Sequence, residues 1–321
     1  MKKLFTLLLA VLFTFTASIS LVACNKDNDD TPPTPDVPTS MTYTSYKTQD
    51  GALAELASGS ADIAVVEKTS FDYYVKISDS SDLMILDGAD FTFESENYVM
   101  ACKKDSNVDN YINAGLYKFQ QENVTVNYTN NGGNVSCNLA YVADDFGLKS
   151  NLITIAEPSV KTDTAPALGS EFERILNDGF KIGIVTSGFT REINNQPFAG
   201  NSHLAGDNGF EILICRALGA IYNKKVDTTS TQIIDLASGK AALDNGTLDL
   251  LIGGRSAKNW GDDLDFSVPY ISNRQVIVIR TADKDKYSSY EKMKSAKFTA
   301  AENSEGETLL KGEINKKVFG N

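Results

Sequence analysis

Apolar runs alternate with amphipathic segments along most of the chain, and this alternation predicts that strands and helices follow one another. Short runs that are apolar or rich in β-branched residues predict strands at residues 41–47, 62–67, 82–88, 97–104, 180–187, 225–231, 249–254, 265–284 and 297–302. Apolar residues at helical spacing predict helices at residues 50–59, 68–78, 108–122, 139–148, 170–179, 208–222, 232–246 and 304–317. The expected fold class is therefore α/β, with parallel sheets that helices cover on both faces.

Two stretches interrupt this alternation. Residues 123–137 contain two β-rich runs that flank the letters NNGG, which predicts a hairpin insertion. Residues 148–170 are weakly patterned and contain two prolines, which indicates a linker or a surface excursion. At the helix ends, Asp50 is a candidate N-cap, Gly59 a candidate C-cap, and Ser170 with Glu173 a capping box.

One phrase occurs twice, as LASGSADIAVV near residue 60 and as LDNGTLDLLI near residue 247. Each copy has a helical end, a glycine, two residues, an aspartate and an apolar run. We expect Asp62 and Asp249 to begin a strand and to cap the turn before it, so that their role is architectural.

The N-terminus looks like a bacterial lipoprotein signal. Lys2 and Lys3 precede an apolar run at residues 4–23, and the run ends in LVAC at residues 21–24. Residues 1–23 are then a signal peptide, and Cys24 becomes the lipid-modified N-terminus that anchors the chain to a bacterial membrane, at the cell surface or in the periplasm. A single transmembrane anchor is the alternative. Residues 24–40 are acidic and rich in Pro and Thr, which predicts a disordered tether.

Composition narrows the chemistry. The formal net charge of −12 repels phosphate backbones, so nucleic acid is not an expected partner. The single histidine, His203, argues against histidine-based catalysis and against a multi-histidine metal site, and no cofactor is expected. Cys102, Cys137 and Cys215 read as small apolar residues in packed positions, although a Cys102–Cys137 disulfide stays open.

Five phrases stand in order between residues 178 and 295: FKIGIVTS, QPFAGN, GFEILICRALG, LDNGTLDLLIGGRSAKN and LDFSVPYISNRQVIVI. Together they resemble the first lobe of bacterial extracellular solute-binding proteins of the polar amino-acid-binding class. LDFSVPY is the most distinctive, because members of this family carry a similar hydrophobic-Asp-Phe-Ser-x-Pro-Tyr phrase. KFTAAENSEGETLL resembles the start of the second lobe. The resemblance implies a type 2 periplasmic binding fold, in which two α/β lobes enclose a ligand cleft.

The phrases are in cyclic rather than linear order. The continuation expected after residue 321 stands at residues 41–67, and the family's ending follows it. The resemblance therefore implies a circular permutation cut inside lobe 2, with the original termini joined through roughly 149–177. The implied domains are lobe 2 at 41–96 and 296–321, and lobe 1 at 97–295 with the 123–137 insertion. Completion of each lobe within one chain is expected, with a domain-swapped dimer or two unrelated truncated halves as alternatives.

The resemblance also implies ligand contacts in lobe 1. Gly254 and Ser256 match positions that supply a backbone carbonyl and a hydroxyl. The arginine that clamps the ligand carboxylate in the family is replaced here by Gly261. Arg255 could take over that role or point outward, and Trp260 could cover the cleft or pack inside.

Three further contacts follow from the resemblance. Glu67 matches an aspartate that receives the ligand's ammonium group, and Ser304 matches a Ser/Thr that helps to hold the carboxylate but could also be an ordinary N-cap. Phe198 matches the phenylalanine of an aromatic-x-Pro-Phe phrase whose stacking aromatic is Asn195 here. Phe189 or Arg191 could enter the cleft instead.

The expected function is that of a monomeric, lipid-anchored receptor without enzymatic activity. It would capture a small polar ligand, an amino acid or a related carboxylate, for an ABC permease, closing at crossing strands near 97–103 and 295–301. Two alternatives stay open: a surface sensor or adhesin that uses the same cleft without a transporter, and a dehydratase with Glu67 as general acid.

Overall fold

The computed structural model describes residues 38–78, 81–128, 133–185 and 209–320, with the backbone alone for the strands at 191–193 and 196–198 and for residues 227–234. The signal peptide, Cys24 and most of the tether lie outside the described residues, and so does the side chain of Phe198.

The described chain is mixed α/β. Its strands are β1 (Thr42–Tyr46), β2 (Ile63–Glu67), β3 (Leu83–Ile85), β4 (Ala101–Lys103), β5 (Val124–Tyr128), β6 (Gly133–Cys137), β7 (Phe180–Val185), β8 (Arg191–Ile193), β9 (Gln196–Phe198), β10 (Val226–Ile234), β11 (Leu250–Ile252), β12 (Leu264–Phe266), β13 (Gln275–Arg280) and β14 (Lys297–Ala301). Its α-helices are α1 (Gln49–Ser58), α2 (Lys68–Ser78), α3 (Val108–Gln121), α4 (Leu139–Asp145), α5 (Glu171–Asp178), α6 (Phe210–Ile221), α7 (Leu236–Asp244), α8 (Ala257–Trp260), α9 (Glu305–Leu309) and α10 (Asn315–Phe319). A π-helical segment, Leu310–Ile314, joins the last two, and short 3₁₀ turns lie at Ala89–Phe91, Lys149–Asn151, Thr281–Asp283 and Tyr290–Met293.

Two five-stranded sheets have the same pattern of strand directions. Sheet A has the order β1-β14-β2-β13-β3, and sheet B has the order β10-β7-β11-β4-β12. In each sheet the first three strands are parallel, and the fourth runs antiparallel to both of its neighbours. The predicted α/β class with parallel strands is therefore confirmed, with one antiparallel strand added to each sheet.

The chain enters the two sheets in different orders. In sheet B, after the crossing strand β4, it forms the second strand β7, then the edge strand β10, then β11 and β12. In sheet A the equivalent second strand is β14, which comes last, and the equivalent edge strand is β1, which comes first. In sheet B, α6 lies in the connection from β7 to β10. The equivalent connection in sheet A, from β14 to β1, is where the two ends of the described chain lie.

Two segments cross between the sheets, and each delivers the fourth strand of the sheet that it enters. The first runs from β3 to β4, and the second runs from β12 to β13. They pair with each other antiparallel, because Tyr98 N–H donates to Ile271 O (2.8 Å) and Tyr270 N–H donates to Tyr98 O (3.2 Å). The prediction of a crossing strand near 295–301 is wrong, because both β14 and the preceding strand β13 belong to sheet A. Likewise β13, which the sequence analysis assigned to lobe 1, pairs with β2 and β3.

Both sheets are covered on both faces, which explains their apolar strands. In sheet A, Ile63, Val65 and Ile277 belong to one buried cluster, whereas Ala64, Val66 and Val276 belong to another on the opposite face. In sheet B, the strands β7 and β11 contribute in the same alternating way to two further clusters. Alternate residues of a strand point to opposite faces, so an uninterrupted apolar run is needed where both faces are packed.

Most predicted elements are present, with local corrections. The N-cap of α1 is Thr48, whose hydroxyl accepts from Gly51 N–H, rather than Asp50, and Gly59 ends the helix in the left-handed region as expected. Ser170 caps α5 as expected. The segment 232–234, expected to be helical, is the end of β10. The predicted hairpin insertion is present as the antiparallel pair β5 and β6.

The repeated aspartates occupy equivalent positions in the two sheets. Asp62 N–H donates to Lys297 O, and the Asp62 carboxylate accepts from Lys297 N–H and pairs with Arg280. Asp249 does the same with Lys181 N–H and pairs with Arg174. Each carboxylate therefore ties the start of one parallel strand to the start of its neighbour, which confirms the architectural role.

The three cysteines among the described residues, Cys102, Cys137 and Cys215, are free and buried, so the disulfide left open above is not formed. Within the described ranges, we find no helix that is both long enough and apolar enough to cross a bilayer.

We expect Asp249→Asn to lower the free energy of unfolding by about 3 kcal/mol, because it leaves Arg174 without a fully buried partner and weakens the acceptor for Lys181 N–H. Urea denaturation at pH 7 measures this. The matched control is Asp178→Asn, since Asp178 pairs with the same arginine but has a side chain that is 52% exposed. Its effect should stay within about 0.5 kcal/mol, and equal effects of the two variants would contradict the assignment.

Candidate functional site

The loop after β11 approaches the rest of sheet B very closely. A side chain at Gly253 would place its Cβ 2.4 Å from Val185 O, and Gly254 has a φ of +62°. Glycine is therefore required at Gly253 by space and favoured at Gly254 by conformation. The N–H of Gly254 donates to Glu211 Oε2 (2.9 Å), so a buried carboxylate holds the loop in place.

Glu211 lies in the first turn of α6 and is completely buried. Its second carboxylate oxygen accepts from the hydroxyl of Tyr270, which lies on the second crossing segment. Burial raises the pKa of Glu211 to about 7, against the opposing effect of these hydrogen bonds. Glu211 thus links α6, the Gly254 loop and a crossing segment. Glu211 is not among the predicted site residues, although a lone glutamate in the apolar run GFEILIC is a usable signal.

Arg255 and Trp260 lie against each other. The guanidinium carbon of Arg255 is 5.6 Å from the centre of the Trp260 ring, and its Nη1 donates to Asn259 O (3.3 Å). Burial lowers the pKa of Arg255. Trp260 is fully buried in the core of sheet B, and its indole N–H donates to Val99 O (3.3 Å). Of the two roles left open for Trp260, the structure places it in the packed interior.

Gly261, at the expected arginine position, ends α8 with a φ of +94°. A Cβ built there would lie 2.9 Å from Nζ of Lys240, which pairs with Asp263. The residue is therefore part of a helix end beside an exposed ion pair, and the conformation disfavours any side chain at this position.

Glu67 ends β2 and joins a buried hydrogen-bond network. Its Oε2 accepts from the hydroxyl of Tyr98 (2.7 Å), and its N–H donates to Gln49 Oε1 (2.7 Å). The Tyr98 hydroxyl also lies 3.3 Å from Thr69 Oγ1, and Thr69 donates twice to Asn273 Oδ1. The network joins sheet A to both crossing segments, so Glu67 is placed where the two sheets meet.

Ser304 has the capping role. Its Oγ accepts from Glu307 N–H (3.0 Å) and donates to Ala301 O (2.7 Å), and the side chain is buried. Glu307 reaches back to accept from Asn303 N–H (2.8 Å), which completes a reciprocal cap at the start of α9.

A cavity of about 690 Å³ lies where the two crossing segments meet the start of α9 and the start of α8. Its size is within the range of small-molecule sites. Its described lining residues are Thr92, Phe93, Glu94, Ser95, Glu96, Asn97, Val99, Ser256, Ala257, Lys258, Phe266, Ser267, Pro269, Gln275, Glu305, Leu309 and Glu313. Elements of both sheets contribute, so a ligand in this cavity would contact both.

The cavity contains buried polar atoms that have no hydrogen-bond partner. They are Asn97 Oδ1, Ser256 Oγ and both amide atoms of Gln275. Ser256 and Gln275 are 9% and 3% exposed, respectively. Unpaired buried polar atoms are costly and are found at functional sites, where a ligand or water completes their bonding.

Of the residues predicted to contact a ligand, Ser256 alone lines this cavity within the described ranges. Gly254 and Arg255 flank it in sequence, Glu67 and Ser304 are engaged in the bonds given above, and the side chain of Phe198 is outside the described residues. Glu96, Asn97, Gln275 and Glu305 were missed. A usable signal was the polar letters SEN and NRQ next to apolar strand runs.

The sequence was compared with known proteins. No family model matches it, and no curated protein matches it at a significant level.

We expect the pH dependence of stability to depend on Glu211. The folded-state pKa of about 7 lies above the ordinary value of 4.5, so the folded chain retains a proton that the unfolded chain releases. The stability contributed by this protonation is fully present below about pH 4.5 and is lost as pH rises through 7. Relative to Glu211→Gln, the free energy of unfolding of the wild type should fall by on the order of 3 kcal/mol between pH 4.5 and 8.

Urea denaturation across this pH range measures the difference. Glu291→Gln, which removes an exposed carboxylate, is the control and should leave the pH profile close to that of the wild type. A wild-type profile parallel to that of Glu211→Gln would refute the raised pKa.

Proposed function

We propose that the chain is a lipid-anchored extracytoplasmic solute-binding receptor with a circularly permuted type 2 periplasmic binding fold, which captures a small polar ligand. The observation that carries this proposal is the cavity with unpaired buried polar atoms, lined by elements of two sheets that exchange their fourth strands. In this reading each sheet is the centre of one lobe, and the cavity is part of the cleft between the lobes.

The topology supports the permutation. Four strands of sheet B (β7, β10, β11 and β12) follow one another in one continuous part of the chain, and the fifth, β4, crosses to it from sheet A. Sheet A has the same layout, but its sequence of strands is interrupted between α10 and β1. Met41 and Phe319 pack against the same buried cluster. The two ends therefore lie on the same side of sheet A, where a short connection could have joined them in an unpermuted ancestor.

The two crossing segments support a hinge. They are the connections between the sheets, and they are held to each other by backbone hydrogen bonds around Tyr98 and Ile271. Two adjacent strands can bend together, so the lobes can open and close about this pair while each core stays intact. A ligand that binds groups from both lobes favours the closed state.

The remaining parts of the proposal rest on the sequence. The LVAC ending places Cys24 as the acylated residue and the 24–40 segment as a tether of the receptor to a bacterial membrane. A receptor held in this way would deliver its ligand, as a monomer, to an ABC permease. An amino acid is the ligand class that the resemblance implies, and Gly261 departs from the family at the position of the carboxylate-binding arginine.

We expect the purified full chain in detergent to bind one small polar solute per chain and to become more compact. Isothermal titration with a panel of amino acids, carboxylates and amines measures the binding, and small-angle X-ray scattering measures the compaction. Ser256→Ala should weaken binding roughly three- to tenfold, because it removes an unpaired hydroxyl from the cavity.

The control for this experiment is Ser289→Ala, an exposed serine away from the cavity, which should bind as the wild type does. A folded chain that binds no member of the panel would overturn the receptor assignment.

We also expect a reordered chain to fold. In this variant residue 319 is joined to residue 41 by a short Gly/Ser linker, and new termini are opened within 158–168, a stretch without helix or strand. Because both cores keep all their strands, the circular dichroism spectrum should match that of the wild type. Urea unfolding should stay cooperative, with a free energy of unfolding within about 2 kcal/mol of the wild-type value. Opening the same chain inside β7 is the control and should abolish folding. Failure of both variants would contradict the permutation.

A further inference from the structure

The cavity is strongly acidic. Its described lining includes four glutamates and one lysine, namely Glu94, Glu96, Glu305, Glu313 and Lys258. Two arginines are adjacent in sequence to lining residues, Arg255 to Ser256 and Arg274 to Gln275, but neither is among the described lining residues, and Arg255 is turned onto Trp260 and bonds to Asn259 O. The charge that a ligand meets in this cavity is therefore negative, which favours a cation and disfavours a free carboxylate.

Two of these carboxylates lie close enough to oppose each other. Burial raises the pKa of Glu96, and the charge of Glu305 raises it further. The Asn259 amide, which donates to Glu96 Oε1 over 3.4 Å, and the nearby Lys258 offset this only in part. A positive group placed between Glu96 and Glu305 would relieve their repulsion.

The unpaired atoms give independent information about the ligand. Gln275 is 3% exposed, and neither of its amide atoms has a partner within 3.5 Å, although a longer interaction of the amide with Glu96 opposes the rise of the Glu96 pKa. Asn97 Oδ1 and Ser256 Oγ are also unpaired. Asn97 Oδ1, Gln275 Oε1 and the carboxylates are acceptors, whereas Gln275 Nε2 is a donor. Acceptors outnumber donors, so the matching ligand donates more hydrogen bonds than it accepts.

The geometry favours an organic cation over a metal ion. Within the described ranges, no three Asp, Glu, His or Cys side chains are grouped closely enough to hold a metal ion. The cavity of about 690 Å³ is large, and Phe93, Val99, Phe266 and Leu309 supply apolar wall between the charged groups. Such walls suit a short methylene chain.

We propose that this cavity binds a small organic cation with N–H donors, a primary amine or a guanidinium compound without a carboxylate, whose charged end lies between Glu96 and Glu305 and donates to Gln275 and Ser256. This inference rests on the proposed receptor function and changes its ligand class from an amino acid to a compound that lacks the acid group.

Matched probe pairs test the inference. Agmatine differs from arginine, and cadaverine from lysine, by the absence of the carboxylate. Isothermal titration of the full chain in detergent should give dissociation constants at least tenfold lower for agmatine and cadaverine than for arginine and lysine. Glutamate, glutarate and glutamine complete the panel as anionic, dianionic and zwitterionic solutes, and CaCl₂ and MgCl₂ test inorganic cations.

Variants locate the site. Glu96→Gln should weaken agmatine binding roughly ten- to a hundredfold, because it removes a charge-assisted hydrogen bond from a half-buried carboxylate. Glu305→Gln should weaken it roughly two- to fivefold, because Glu305 is exposed. Glu302→Gln removes an exposed carboxylate three residues from Glu305 that does not line the cavity, and it should bind as the wild type does. Thermal unfolding without ligand verifies that each variant is folded.

The outcomes separate this inference from the receptor function. Tighter binding of arginine or lysine than of their decarboxylated counterparts, or binding of glutamate alone, would overturn the cation assignment and leave a solute receptor. Cation binding that survives both Glu96→Gln and Glu305→Gln would overturn the site. So would displacement of agmatine by millimolar CaCl₂ or MgCl₂ with an affinity equal to that of agmatine. Absence of binding by every probe, including the neutral and anionic ones, would overturn both proposals.

Discussion

The antiparallel pairing of the two crossing segments, through the backbone hydrogen bonds of Tyr98 with Tyr270 and Ile271, is the interaction on which the rest of the structure depends. Each segment continues into the fourth strand of the sheet that it enters, so neither sheet is complete without the other half of the chain. This exchange explains why one antiparallel strand stands in each otherwise parallel sheet. It also places polar residues of both segments at the junction, where the cavity forms.

Three carboxylates, two of them buried and one half-buried, hold neighbouring elements of the sheets together, and they differ in the charge of their partners. Asp62 and Asp249 are compensated by an arginine and by a backbone N–H, so they act as fixed ties between parallel strands. Glu211 lacks a cation, and burial raises its pKa although Tyr270 and Gly254 donate hydrogen bonds to it. The contrast follows from partner charge: a paired carboxylate stays ionised when buried, whereas an unpaired one tends to hold a proton.

The cavity combines charge and unpaired acceptors in a way that a purely structural role does not require. The half-buried Glu96 is opposed by the charge of the exposed Glu305, and the buried Gln275 amide has no partner within 3.5 Å, although it lies near enough to Glu96 to lower its pKa. A core optimised for stability alone would pair or remove such groups, because each one costs free energy. Their presence at the junction of two sheets connects the fold to the proposed ligand binding, and the helix end at Gly261 fits the proposal of a ligand that needs no carboxylate clamp.

The sequence by itself determined the local elements, because apolar periodicity, caps and turn residues act over short distances. It predicted the doubly covered strands, the hairpin at 123–137 and the equivalence of Asp62 with Asp249. Tertiary structure alone decided which strands are neighbours. It placed β13 in sheet A and moved the second crossing from 295–301 to the segment before β13. Tertiary structure also determined the candidate site, because Glu96, Gln275 and Glu305 are distant in sequence and line one cavity only in the folded chain. That cavity depends on the exchange of strands between the sheets, which no local sequence pattern predicts.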